Sequence, residues 1–392
     1  MKGYFDIQKM TKIAIRGVWL TNTDSSVLSS QETIVEAIEF LAKMGFNVVF
    51  PVVWNKAATL YPSKVMQQTF GWEIDSRYQG RDPLAEIVNA AHEVNIKVIP
   101  WFEYGFASSY NLNGGKLIQK KPEWGACDCR GNLLKKNGFE WLNTLNPEVQ
   151  DFILSLILEV VRNYDIDGIQ GDDRLPALPC EGGYDSMTVQ LYYKQFGTNP
   201  PSNPKDKKWL QWRADILTEF LSRLYGEVKS VNSHLLVSMA PNIHHWGFQE
   251  YLQDSETWLK KEVVDIIHPQ LYRRDFLAYK CAIDKLLAQQ FRGQNKLKLA
   301  PGILMKVGSY LISSENLIKM IEYNRYCGVL GEVFFFYEGL RKNNDALAKV
   351  LYSHGYSETA RFPTLSELKD NPVNHSVRKK KINLLKLWEN IF

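Results

Sequence analysis

Short apolar runs and amphipathic helical patterns alternate eight times along this chain, and no other feature of the sequence constrains the fold as tightly. A strand buried on both faces needs helices outside it and packed side chains inside it, and eight such units in series close into a parallel barrel. The predicted strands cover residues 15–20, 47–54, 97–104, 167–172, 235–240, 265–272, 298–304 and 332–337. Between 147 and 164, Phe152, Leu156, Val160 and Val161 recur with the helical period, the pattern of a helix feeding the fourth strand. Ser30 or Thr33 can cap the first helix, which should stop at Gly45. The expected fold is therefore α/β, a (β/α)8 TIM barrel with long strand-to-helix loops and a short C-terminal appendage.

At 392 residues, one barrel with insertions accounts for most of the chain. Residues 1–14 read as a lead-in, 15–355 as the barrel and catalytic domain, and 356–392 as a tail. The tail contains Pro363, Pro372 and the basic run Arg378 to Lys381, and it either packs on the barrel or serves as an interaction segment. Long segments at 55–82, 106–146, 174–207 and 241–252 all follow strands, whereas returns such as Gly45-Phe46 and Val94-Asn95-Ile96 are short. The active end should thus be the C-terminal end of the strands.

Composition narrows the function by exclusion. A net charge of +4, with basic residues dispersed outside 378–381, gives nucleic-acid binding little support. Five cysteines show no zinc spacing, and Cys127 and Cys129 are expected to be free thiols. Residues 1–12 lack the apolar core of a signal peptide and no stretch is long enough to span a bilayer, so the expected location is cytoplasmic. No cofactor is expected.

The strand ends carry Trp19 and Asn22; Trp54 and Asn55; Trp101, Glu103 and Tyr104; and Asp172, Asp173 and Arg174. Later strands add Asn242, His244 and His245; Gln270 and Tyr272; Lys306; and Tyr337 with Glu338. Aromatic faces that stack on sugars, together with amides, histidines and acids that bond hydroxyls, suit an oligo- or polysaccharide; the glycine-rich amides of a phosphate site are missing. Glycoside hydrolysis needs one protonated and one ionised carboxyl group. Asp172 is the expected nucleophile or base, Glu338 the first choice of acid, Glu103 the second, and Asp173 an orienting group. Gly168 and Gly171 should leave room for substrate beside the aspartates. Strands four and eight lie across the barrel and three and four are neighbours, so inversion would implicate Glu338 and retention Glu103. An isolated aspartate at a strand end is also an ordinary loop hydrogen-bonder. The rival readings are a non-catalytic carbohydrate-binding barrel and a metal-dependent hydrolase using His244, His245 and Asp172.

At these residues the chain resembles the glycosyl-hydrolase-like family 10. The resemblance rests on Arg16-Gly17-Val18-Trp19-Leu20-Thr21-Asn22, Tyr61-Pro62-Ser63, Gly80-Arg81-Asp82-Pro83-Leu84 and Ile99 through Phe106. It continues through Trp141-Leu142-Asn143, Asn146 through Gln150, Asp167 through Arg174 and Phe334 through Glu338. It implies a barrel glycoside hydrolase with a catalytic aspartate at position 172, and a substrate such as peptidoglycan glycan strands freed of peptide. The family usually carries an aromatic residue where Gly171 stands and often His or Tyr where Arg174 stands.

Overall fold

The computed structural model describes residues 12–369. Eight parallel strands form a closed ring: β1 (Ile15–Leu20), β2 (Val48–Pro51), β3 (Lys97–Val98), β4 (Gly168–Gly171), β5 (Leu236–Met239), β6 (Ile266–Ile267), β7 (Gly302–Leu304) and β8 (Gly331–Phe335). β8 pairs with β1, and the ring is completed by single bridges, Trp101 with Gln170 between β3 and β4 and Gln270 with Gly302 between β6 and β7. The β2, β3 and β6 ladders are shorter than the apolar runs that announce them, because the chain beyond them continues through isolated bridges at Val52, Trp101 and Gln270.

Helices cover the outside: α1 (Gln31–Lys43), α2 (Pro83–Glu93), α3 (Pro147–Asn163), α4 (Lys207–Val231), α5 (Ser255–Lys260), α6 (Phe276–Gln289), α7 (Ser314–Tyr326) and α8 (Tyr337–Leu351). Ser30 and Thr33 form a reciprocal capping box at the start of α1. Among the described residues no helix is long and apolar enough to cross a membrane, and the five cysteines are free thiols.

The barrel interior is only partly apolar. Trp19 donates its indole N–H to Gln170 Oε1 at 2.6 Å, and Gln170 donates onward to Ser238 Oγ at 2.9 Å. Phe50, Phe335 and His268 pack against Trp19 in the same layer, with His268 Nδ1 2.7 Å from Ala300 O. Burial drives the His268 imidazole down to about 4, so it is neutral.

At the N-terminal face the segment after α8 is tied to the barrel. Arg16, 2% exposed, donates to the carbonyls of Gly45, Gly355, Tyr356 and Glu358. Ala360–Arg361 pairs with Lys12–Ile13, so residues on both sides of the expected domain limits at 14 and 355 belong to one packed unit. Of the two fates open to the tail, the described part therefore takes packing on the barrel. The basic run Arg378 to Lys381 lies outside the described residues.

Candidate active site

Three acidic side chains from neighbouring strand ends meet on one guanidinium. Strand periodicity sends Trp101 and Glu103 to the same side of β3, and Asp172 to the same side as Gln170 on β4. Arg174, in the turn after β4, then reaches all three acids. Its Nη2 lies 3.2 Å from Asp172 Oδ2 and 3.7 Å from Glu103 Oε1, and its Nη1 lies 3.2 Å from Asp173 Oδ1. Nε donates to the Glu103 carbonyl at 2.8 Å, and the Phe139 ring supports the guanidinium at 4.8 Å.

Asp172 is sealed rather than solvent-reachable, with 1% of its surface exposed. Its Oδ2 accepts from the Trp101 indole N–H at 3.1 Å and from Arg174, and its Oδ1 accepts from the Arg174 backbone N–H at 2.9 Å. Burial pushes its pKa up, with Asp173 and Glu103 adding to the effect and Arg174 opposing it. Asp173 is the open member of the pair, with 26% of its side chain exposed and Arg174 as its partner.

Glu103 is 15% exposed at its side chain. Its Oε2 accepts from Asn55 Nδ2 at 2.8 Å, and the same Asn55 amide donates to Asn22 Oδ1 at 2.7 Å. Burial raises the Glu103 carboxyl to about 7; Arg174 pulls it down and Asp173 pushes it up. A carboxyl group half protonated near neutral pH, beside ionisable aspartates, has the properties of a general acid. The Tyr272 hydroxyl, raised by burial and by the charges of Asp173 and Asp172, faces the same cluster, and its ring packs on Phe335.

Several expected site residues lie elsewhere. Glu338 falls on the first turn of α8, where it accepts from the Ser25 hydroxyl at 2.8 Å; it does not share the Arg174 contact that gathers the other acids. Tyr337 packs edge-on against Phe40 of α1, because β8 ends at Phe335 and the helix turns its side chain between α1 and α8. Trp54 is fully enclosed, its indole N–H on Gly105 O and its ring against Phe152, and Trp19 fills the barrel interior. Neither has a face to offer a sugar. Trp101 is 3% exposed and serves Asp172 as a donor.

The space expected beside Gly168 and Gly171 is filled. A Cβ at Gly171 would stand 2.4 Å from Leu175 O and 2.8 Å from Met239 Sδ, and one at Gly168 would stand 2.5 Å from Leu236 O. Gly171 is thus a packing requirement of the turn that carries the aspartates, and an aromatic residue has no room there. Gly105 is required for a similar reason: its φ of +48° is left-handed, and a Cβ would meet Arg174 O at 2.3 Å.

Two residues that hold the site carry no signal in the sequence. Gln253 Nε2 donates to the Asp172 carbonyl at 2.9 Å, and its Oε1 accepts from the Asn242 backbone at 3.0 Å. Arg213 of α4 reaches across to Cys180 O and Gly182 O at 2.5 Å and to Pro204 O at 2.6 Å, fastening the loop after β4. Both act through backbone groups, which any loop possesses.

His244 lies 3.4 Å from Glu256, and burial lowers its pKa. Among the described residues, the group of His, Cys, Asp and Glu with ligand atoms close enough to hold a metal is Cys180, Glu181 and Glu250, not His244, His245 and Asp172. Lys136 binds both of those glutamates at 2.8 to 3.0 Å, so a cation already occupies their charge.

The profile described as Glycosyl hydrolase-like 10 matches residues 14–319. Glycosyl hydrolase YngK of Bacillus subtilis (strain 168) is 24% identical over 387 residues, covering 88% of this chain and 71% of that protein. Glycosyl hydrolase DigH of Escherichia coli (strain K12) is 24% identical over 282 residues, covering 66% of this chain and 62% of DigH. Among solved structures, the PgaB (BpsB) glycoside hydrolase domain from Bordetella bronchiseptica superposes with a TM-score of 0.62 at 13% identity, covering 86% of this chain and 99% of that domain. The catalytic domain of a beta-amylase from Paenibacillus polymyxa gives 0.61 at 12% identity, with 88% and 99% covered. At such identities these two likenesses speak for the barrel fold alone.

Proposed function

The chain belongs to the Glycosyl hydrolase-like 10 family, and we propose that it cleaves O-glycosidic bonds within a polysaccharide, peptide-free peptidoglycan strands being the first substrate to try. The observation that carries this reading is the meeting of Glu103, Asp172 and Asp173 on Arg174, with one acid raised to about 7. Glu103 donates its proton to the leaving glycosidic oxygen. Asp173, the more exposed aspartate, is the partner carboxylate that attacks the sugar or activates water. Asp172 is the positioning carboxylate: it fixes Arg174 and Trp101, and through them the spacing of the other two. Glu103 and the aspartates come from adjacent strands, which favours the closer spacing of about 5–5.5 Å used for retention.

Arg174 at the centre of the acids is also what a carbohydrate-binding barrel without turnover would keep, since it neutralises the cluster. Incubation with defined glycans separates the two readings. The hydrolase releases new reducing ends, visible by mass spectrometry, and NMR during the reaction shows the retained anomer first. Glycan binding with no new reducing ends in any of them would leave the binding reading, and an inverted product would move the acid role to a more distant carboxyl such as Glu338.

A further inference from the structure

A cavity of about 550 Å³ opens on the loops after β5 and β6, next to the acid cluster in barrel order. Asn242 and Gln270, at the ends of those strands, line it and connect it to the barrel mouth. One wall is a face of α6, where Ala278, Cys281, Ala282 and Lys285 recur at i, i+3, i+4 and i+7. The three small side chains leave the volume open, and the fourth brings a charge to it.

The charges in this cavity have one sign. Arg273 and Lys285 line it and no carboxylate does. Among the described residues neither cation has an acidic partner; Arg273 Nη1 lies 3.5 Å from Tyr272 O. The acids around it are engaged otherwise: Glu256 with Lys260 at 2.6 Å and with His244, Asp254 as the cap of α5, Asp275 as the cap of α6, and Asp284 with Lys280 at 2.6 Å. His244 lines the cavity with a buried Nδ1 that has no hydrogen-bond partner, and Trp246 presents a ring that is 52% exposed. Uncompensated cations and an exposed indole together match a sugar ring that carries an anion.

We propose that this cavity is a glycan subsite for a sugar residue bearing a carboxylate, with Arg273 and Lys285 binding the carboxylate and Trp246 stacking on the ring. The inference rests on the hydrolase reading above and deepens it, naming an acidic glycan as the substrate class. Such a subsite would also hold the substrate's own charge away from Glu103 and Asp173.

The test uses two acidic probes, oligogalacturonate (a ring carboxylate) and peptide-free peptidoglycan strands (an ether-linked acid), each alongside its carboxyl-reduced form. Binding is measured by calorimetry on the full chain carrying Asp173→Asn, so that no probe is consumed. At least one acidic probe should bind about tenfold or more tightly than its reduced form, the size expected of one or two charge-assisted hydrogen bonds. Adding Arg273→Gln and Lys285→Gln should abolish that preference while leaving affinity for the reduced form and the thermal unfolding midpoint unchanged. Whichever acidic probe shows the preference identifies the source of the carboxylate. Equal binding of acidic and reduced forms, or a preference that survives the double variant, overturns the subsite and leaves the hydrolase reading standing. Binding of none of the four glycans overturns both.

Discussion

Glu103 carries the most testable chemistry. Its folded pKa of about 7 stands above the ordinary 4.5 because burial penalises the anion. Ionisation therefore costs stability progressively from about pH 4.5 to pH 7, and fully above. Glu103→Gln removes that cost: the variant should gain about 1–3 kcal/mol over the wild type at pH 8 and almost nothing at pH 4, measured by denaturant unfolding. Its kcat/KM should drop about 10²–10⁴-fold, and the wild type's decline above pH 7 should disappear. The aspartates separate differently. Asp172→Asn turns an amide N–H₂ toward the donors on Trp101 and Arg174, so it should cost about 2–4 kcal/mol and shift the alkaline limb of the pH profile as Arg174 relaxes onto Glu103. Asp173→Asn should change stability by less than about 0.5 kcal/mol and stop turnover. An active Asp173→Asn beside a folded, inactive Asp172→Asn would transfer the ionised role to Asp172.

At the scale of elements, β4 and the turn after it form one packed piece. A methyl group at Gly171 has nowhere to go between Leu175 O and Met239 Sδ, so Gly171→Ala should lose about 1–3 kcal/mol and displace the aspartates, lowering activity beyond the stability loss. Gly226 inside α4 is the control: nothing lies within 4 Å of its added Cβ, and Gly226→Ala should stabilise by about 0.5–1 kcal/mol. Thermal melts of the two variants, with activity assayed below both midpoints, check the pair. β8 shows the opposite case, where an element boundary misleads. Read as a strand through Tyr337, it delivers Tyr337 and Glu338 to the acid cluster; with the strand ending at Phe335, the helix sets Tyr337 against Phe40 and Glu338 on Ser25.

Across the whole molecule, the acid cluster lies at one end of the barrel and the ties of the chain ends at the other. Arg16 receives four carbonyls from two chain segments and lies over the Tyr356 ring at 4.5 Å, while Tyr356 donates to Glu332 at 2.9 Å. Arg16→Met should leave those carbonyls and Glu332 uncompensated, at about 3–5 kcal/mol in unfolding free energy, with kcat/KM unchanged because the site is at the far end. A fall in kcat/KM without a fall in stability would mean that the two ends are coupled.

Periodicity was enough to establish the barrel and its strand order, because burial on two faces and right-handed crossovers leave few other ways to pack eight such units. The same local reasoning singled out Glu103, Asp172, Asp173 and Arg174, which sit within two residues of the predicted strand ends at 104 and 172. Only the tertiary structure decided which of them meet, since the guanidinium placed by the turn after β4 contacts Glu103, while Glu338 bonds Ser25. It also decided that Trp19 and Trp54 are core, because whether an indole faces solvent depends on what stands opposite it, and those partners are 31 or more residues away in Gln170, Phe50 and Phe152.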